Sequence, residues 1–139
     1  CQTALGMRES LSVFGTDFNT PDGTGVRDYI HVTDLASAHL AALDHLGNGG
    51  NSDTYNCGYG KGTSVLEVIK SVKKVSGKDF LVKNGPRRAG DPAKLIADNS
   101  KIFKELNWTP KYQDLDLICR TAYNWEEKTP RRSTIMKEE

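Results

Sequence analysis

The chain has 139 residues, the usual size of one domain and enough to bury a modest core without disulfide or metal staples. Nineteen Lys and Arg against eighteen Asp and Glu leave a formal charge of +1, which is not the basic excess of a dedicated nucleic-acid binder. No apolar run approaches the roughly 20 residues of a membrane span, and no basic-then-apolar leader opens the sequence, so a soluble protein without a membrane partner is expected.

CysGlnThrAlaLeuGlyMetArgGluSer, residues 1–10, has the spacing of a helix already under way, with neither a capping residue nor an initiator Met before it. The chain is therefore expected to begin inside a larger protein. Residues 10–15 read as a short strand, and ThrProAspGlyThrGly, residues 20–25, as a turn. Residues 26–32 alternate apolar and polar side chains with period two, which predicts an extended segment. A helix is expected from Thr33 or Asp34, with Leu35, Ala38, Ala42 and Leu46 as its apolar stripe and Gly47 as its stop.

Residues 53–57 read as a buried strand. A glycine-rich loop follows, then a helix from Ser64 to Gly77 whose apolar face is Val65, Val68, Ile69 and Val72. Residues 79–83 and 94–98 are further strand candidates, separated by the loop ProArgArgAlaGlyAsp. Ser100 is placed to cap a short helix ending near Leu106. Leu115, Ile118, Ala122 and Trp125 recur at helical spacing across 115–127. The polar, aperiodic end, 128–139, is expected to fray.

Gly58, Gly60 and Gly62 invite a dinucleotide reading, because they follow a strand candidate, open a helix and precede Asp79 by roughly 20 residues. The spacing does not fit, since the third glycine arrives one residue early and Asp79 stands at the start of a strand candidate. A plain connection is the better reading, and Lys61 is followed by Gly where a P-loop needs Ser or Thr. His31, His39 and His45 lack metal-ligand spacing, and structural roles are expected for them. Cys1, Cys57 and Cys119 are odd in number and far apart; they suit a reducing, cytoplasmic setting. Trp108 and Trp125 read as packing residues.

Two arginine segments carry the more specific chemistry: Arg27-Asp28-Tyr29 and Arg87-Arg88-Ala89-Gly90-Asp91. Guanidinium forks suit phosphate oxygens, and Asp91 could accept hydrogen bonds from ribose hydroxyls. The residues alone leave a plainer alternative open, in which Arg27 pairs with Asp28 or Asp34 while Arg87 and Arg88 merely solvate a loop.

Three strings in order, VFGTDFNTPDGTGVRDYIHVTDLASAHLAAL, TYNCGYGKGTSVLEVI and PRRAGDPAKLIADNSKIFKELNW, resemble the carboxyl-terminal half of UDP-glucose 4-epimerases, which are extended short-chain dehydrogenase/reductases. The resemblance runs from Cys1 to Trp125. It implies a small mixed α/β substrate-binding domain over 1–127, which packs on an amino-terminal Rossmann domain absent here, followed by a polar tail.

By the same resemblance, the loop around Ser12, Val13 and Phe14 lines a uracil pocket. Arg27 and Arg88 contact a diphosphate, Tyr29 lies in the same pocket, Asp91 holds the ribose and Val65 lines the nucleotide site. Leu95 falls where some relatives carry Tyr and others smaller residues, a position tied to sugar size, and N-acetylated sugars stay undecided. No Tyr here has Lys four residues on, so no catalytic pair is expected in this chain. The implied partners are UDP-glucose and UDP-galactose, with a homodimer expected and NAD held only by the full-length enzyme.

Overall fold

The computed structural model describes residues 1–129, which form a mixed α/β unit. Its elements in chain order are β1 (Ser10–Phe14), β2 (Val26–Arg27), α1 (Val32–Gly47), β3 (Thr63–Ser64), α2 (Val65–Ser76), β4 (Leu81–Gly85), β5 (Lys94–Leu95), α3 (Ser100–Leu106) and α4 (Leu115–Lys128). The expected tail therefore lies outside the described residues, apart from Lys128 at the end of α4 and Thr129.

Each long helix begins at a side chain that satisfies an orphan N–H. His31 caps α1, its Nδ1 accepting from the Thr33 N–H at 3.1 Å. Ser64 and Glu67 form a reciprocal capping box on α2, and Gly77 ends that helix in the left-handed region. Asp114 caps α4 through the Leu117 N–H. The expected cap of α3 is displaced by one position. Asn99 holds the cap position, Ser100 is the first helical residue, and the Ser100 N–H donates to Asp98 Oδ1.

β1 and β4 pair in parallel, Phe14 opposite Gly85, and a second sheet has the order β3-β2-β5. In that second sheet Val26 registers with Ser64 and Lys94, and Arg27 with Thr63 and Leu95. Only two residues of each extended segment 26–32 and 94–98 join a ladder, and the strand expected at 79–83 starts two residues later. Residues 53–57 form no strand and are not a buried segment. Their backbone has no neighbouring strand among the described residues, and side chains hold it instead: Tyr55 donates to Glu105 and Lys101 donates to the Thr54 carbonyl. The first residues close a turn, with the Leu5 N–H on the Cys1 carbonyl, rather than continuing a helix.

The core is split. Val72 of α2 packs on Ala4, Cys119 and Tyr123, while Ala38 of α1 packs on Ile102 and Trp108. Both amphipathic stripes are rotated from their expected positions. On α1 the buried residues are Asp34 and Ala38, while Leu35, Leu46 and the flanking Val32, Leu40 and Leu43 are exposed. On α4 the buried residues are Cys119 and Tyr123, and Trp125 is 72% exposed. Trp125 is therefore no core residue here, whereas Trp108 is, with its indole N–H on Ser37 Oγ at 2.8 Å.

Candidate functional site

The route into the site is a tight loop between β1 and β2. Asp22 Oδ1 accepts from both the backbone N–H and the hydroxyl of Thr24, and Thr24 is fully buried. Gly23 sits at φ +79°, where a Cβ would stand 2.2 Å from the Thr16 carbonyl oxygen, so only glycine fits. This loop delivers Arg27 onto β2. Gly25 leaves room for it: a Cβ there would lie 3.2 Å from Arg27 Nη1. The guanidinium folds back, Nη1 donating to the Val26 carbonyl at 2.8 Å while Nη2 forms an ion pair with Asp91 Oδ1.

Asp91 arrives from the loop after β4. Its N–H donates to the Arg88 carbonyl at 3.3 Å, across a turn in which Gly90 takes φ +78°. Arg88, Asp91 and Arg27 are thereby joined in one cluster by a turn and an ion pair. The two neighbouring arginines differ in what holds them. Arg87 pairs with Asp17 and lies 4.2 Å over the ring of Phe18. Arg88 lies 3.9 Å over the ring of Phe14 and has no carboxylate partner among the described residues. A guanidinium stacked in this way keeps its in-plane N–H groups for an anion.

The remaining predicted residues distribute around this cluster. Ser12, Val13 and Phe14 belong to strand β1, not to a loop. Ser12 and Phe14 share its exposed face, and Val13 turns into the core at 2% exposure. Leu95 registers beside Arg27 and is exposed. Val65 opens α2, with its N–H on the Gly25 carbonyl at 3.1 Å. Tyr29 is half-buried; burial raises its phenol above the ordinary value, against the opposing charge of Arg27. Neither Asp28 nor Asp34 pairs with Arg27, which removes that part of the plainer alternative, and Arg87 is held by Asp17 of the loop between β1 and β2. A hollow of about 460 Å³ lined by Val26, Ser64, Lys70, Lys94 and Ile96 opens on the other face of the small sheet, away from Arg27 and Leu95.

The glycine-rich stretch has a different task from nucleotide binding. Asp28 reaches into it, Oδ1 accepting from the Tyr59 N–H at 3.0 Å and Oδ2 from the Gly60 N–H at 2.9 Å. A Cβ on Gly58 would stand 2.5 Å from Asp28 Oδ2. The N–H groups that a dinucleotide's phosphates would need are thus taken by an internal carboxylate, and the stretch does not fit that cofactor. Asp28 and Gly25 were not legible as site residues, because only the fold shows which loop each one meets.

Asp34 anchors the same region from beneath. It is 1% exposed and accepts from Tyr59 Oη and from the N–H groups of Lys111 and Tyr112. Burial pushes its carboxyl up, but these bonds outweigh burial and leave it below the usual value. Burial and the bond to Asp34 push the Tyr59 phenol well up, so it stays a neutral donor. The imidazole of His31 stacks on Tyr112 at 4.7 Å between centroids, with Nε2 placed 2.9 Å from Thr121 Oγ1.

Residues 1–121 match the family described as GDP-mannose 4,6 dehydratase. The chain belongs to that family. Among its relatives is a UDP-glucose 4-epimerase of Azospirillum brasilense, 52% identical over 91% of this chain and 36% of that protein. The structure of the UDP-Glc/GlcNAc 4-epimerase of Campylobacter jejuni superposes with a TM-score of 0.84 at 55% identity, over 92% of this chain and 39% of the other. The UDP-glucose 4-epimerase of Bifidobacterium longum, in complex with NAD+ and UDP, gives 0.82 at 44% identity over 93% and 38%. The chain spans 36–39% of the length of these relatives.

Proposed function

We propose that this chain, over residues 1–127, supplies the UDP-sugar-binding portion of a UDP-glucose 4-epimerase. The whole enzyme would interconvert UDP-glucose and UDP-galactose by oxidation and reduction at the sugar C4, with NAD as the hydride carrier. The observation that carries the reading is the cluster of Arg88, Asp91 and Arg27, two cations and a carboxylate joined through one turn. In this reading Arg88 and Arg27 hold the diphosphate, Asp91 accepts from the ribose, and Ser12 and Phe14 on the β1 face border the uracil. Tyr29, Val65 and Leu95 complete the surroundings.

These residues bind and orient; they perform no bond chemistry. Anchoring the nucleotide firmly while leaving the hexose free to turn would let a hydride leave one face of the sugar and return to the other, and the binding energy would be used for orientation. Among the described residues the glycine-rich stretch does not fit NAD, so in this reading the chain by itself should not epimerise. The exposed face of α1 and the unpaired segment 53–57 would pack on a Rossmann domain in the longer enzyme. A homodimer and a cytoplasmic location belong to the same reading.

The test is a calorimetric titration of this chain with UDP, repeated on Arg88→Ala. Binding in the micromolar to millimolar range that the substitution abolishes is the expected result. Equal affinity for UDP and for unrelated polyphosphates would replace the reading with a general anion-binding module.

A further inference from the structure

The ion pair between Arg27 and Asp91 joins the two groups that the nucleotide reading assigns to different parts of one ligand. We infer that Asp91 is an internal stand-in for phosphate: it neutralises Arg27 until an anion displaces it, and that displacement frees the same carboxylate for a diol. The inference rests on the nucleotide-binding reading and goes beyond it by giving the site an order of recognition.

Several features make an exchange of partners feasible. The side chains of Arg27 and Asp91 are 24% and 31% exposed, so an incoming anion can reach both. Arg27 is also held by the Val26 carbonyl through Nη1. The seat beside Gly25 therefore keeps the guanidinium in place when Nη2 changes partner. Asp91 contributes only Oδ1 to the pair, so a rotation of its side chain releases Arg27 without moving the backbone turn at Gly90. Partly exposed pairs of this kind are worth little on their own, whereas a phosphate offers a guanidinium more than one oxygen.

Arg88 is poised differently. It has no carboxylate partner among the described residues and is pre-oriented by the ring of Phe14. An incoming diphosphate would meet Arg88 first, and only then compete with Asp91 for Arg27. A molecule with a ribose but no phosphate would find Asp91 Oδ1 held by Arg27, with Oδ2 alone left for a diol. Phosphate is thus required before the ribose can be held well, which selects nucleotides against nucleosides by more than the charge they carry.

The experiment is a calorimetric titration with pyrophosphate of the chain, Asp91→Asn, Arg27→Gln and the double variant, with Asp91→Ala as a second way of removing the carboxylate. The expected result is pyrophosphate binding tighter by about three- to tenfold in Asp91→Asn and Asp91→Ala, and no such gain when Arg27 is already Gln. Binding to Asp91→Asn but not to the parent chain would also support the inference. Unchanged or weaker binding, a gain that survives in the Arg27→Gln background, or no binding by any form overturns it. UDP titrated in parallel separates the two readings. UDP no tighter than pyrophosphate, with the Asp91 gain intact, would retire the nucleotide site and keep the exchange. UDP preferred, with no Asp91 gain, would do the reverse.

Discussion

Arg88 lies over Phe14 with its guanidinium carbon 3.9 Å from the ring centroid, and the same ring lies against Gly85, where a Cβ would come within 3.4 Å of Phe14 Cδ1. The aromatic side chain is thus a support that aims a cation. Phe14→Ala should weaken UDP binding by about three- to tenfold, from loss of a contact worth roughly 0.5–1 kcal/mol and of the orientation it gives. The effect on stability should be small, because Phe14 is 37% exposed. Calorimetry with UDP and a thermal melt of the same variant check both halves; an unchanged affinity would remove Phe14 from the site.

Local signals in the sequence were strong where one side chain decides the backbone. The expected bounds of α2, Ser64 and Gly77, hold, and the structure shows why: a capping box of Ser64 with Glu67 and a left-handed glycine stop are determined within a few residues. The stripes of α1 and α4 were misplaced because both helices carry apolar residues on more than one face, and spacing does not say which face meets this chain's own core. Asp34 is the telling case: a carboxylate with 1% exposure reads as polar surface until Tyr59, Lys111 and Tyr112 are seen to surround it. At the candidate site, the sequence singles out Arg27, Arg88 and Asp91 as residues suited to a phosphate and a ribose. The ion pair between Arg27 and Asp91 is not legible there, because it joins positions 64 residues apart.

The glycine-rich stretch gives a test of structural necessity. Gly58→Ala would push a methyl group to within 2.5 Å of Asp28 Oδ2 and 2.7 Å of the Ala97 Cβ. Relief requires moving the carboxylate that holds the Tyr59 and Gly60 N–H groups. A loss of about 1–3 kcal/mol in unfolding free energy is expected, read by denaturant titration. Added NAD should leave the melting temperature of the parent chain unchanged. A rise in that temperature with NAD would show that the loop serves a dinucleotide after all.

Acid should loosen the chain through Asp34. Its carboxyl is depressed in the fold, so the ionised form is favoured there over the unfolded chain, where the ordinary value is about 3.9. The resulting stability is fully present above that value and is lost as pH falls through the folded-state value. Asp34→Asn replaces one acceptor with a donor facing backbone N–H groups that cannot turn away. It should cost about 2–4 kcal/mol near neutral pH. It should also flatten the fall in stability between about pH 5 and pH 2. Denaturant melts of both proteins across that range measure the difference, and parallel curves would show that another group dominates.

The outward face of α1 carries Val32 at 74% exposure and Leu40 and Leu43 at 62% each, with Leu35 and Leu46 alongside. At 100° per residue these five side chains fall within one continuous sector, opposite the side of Asp34 and Ala38 that meets the core. Covering a single leucine of this kind contributes roughly 1.5–3 kcal/mol, and contiguous apolar surface on a soluble chain favours association. The chain should therefore self-associate as its concentration rises. Replacing Leu40 and Leu43 together by Lys should shift it toward monomer, since lysine keeps the helix propensity of leucine while opposing burial. Neither residue touches the cluster of Arg27, Arg88 and Asp91, so UDP affinity should not change. Sedimentation velocity across a concentration series, run on both proteins, decides the matter. A parent chain that stays monomeric throughout would mean that this face is tolerated in water, and the packing surface assigned to α1 would have to be sought elsewhere.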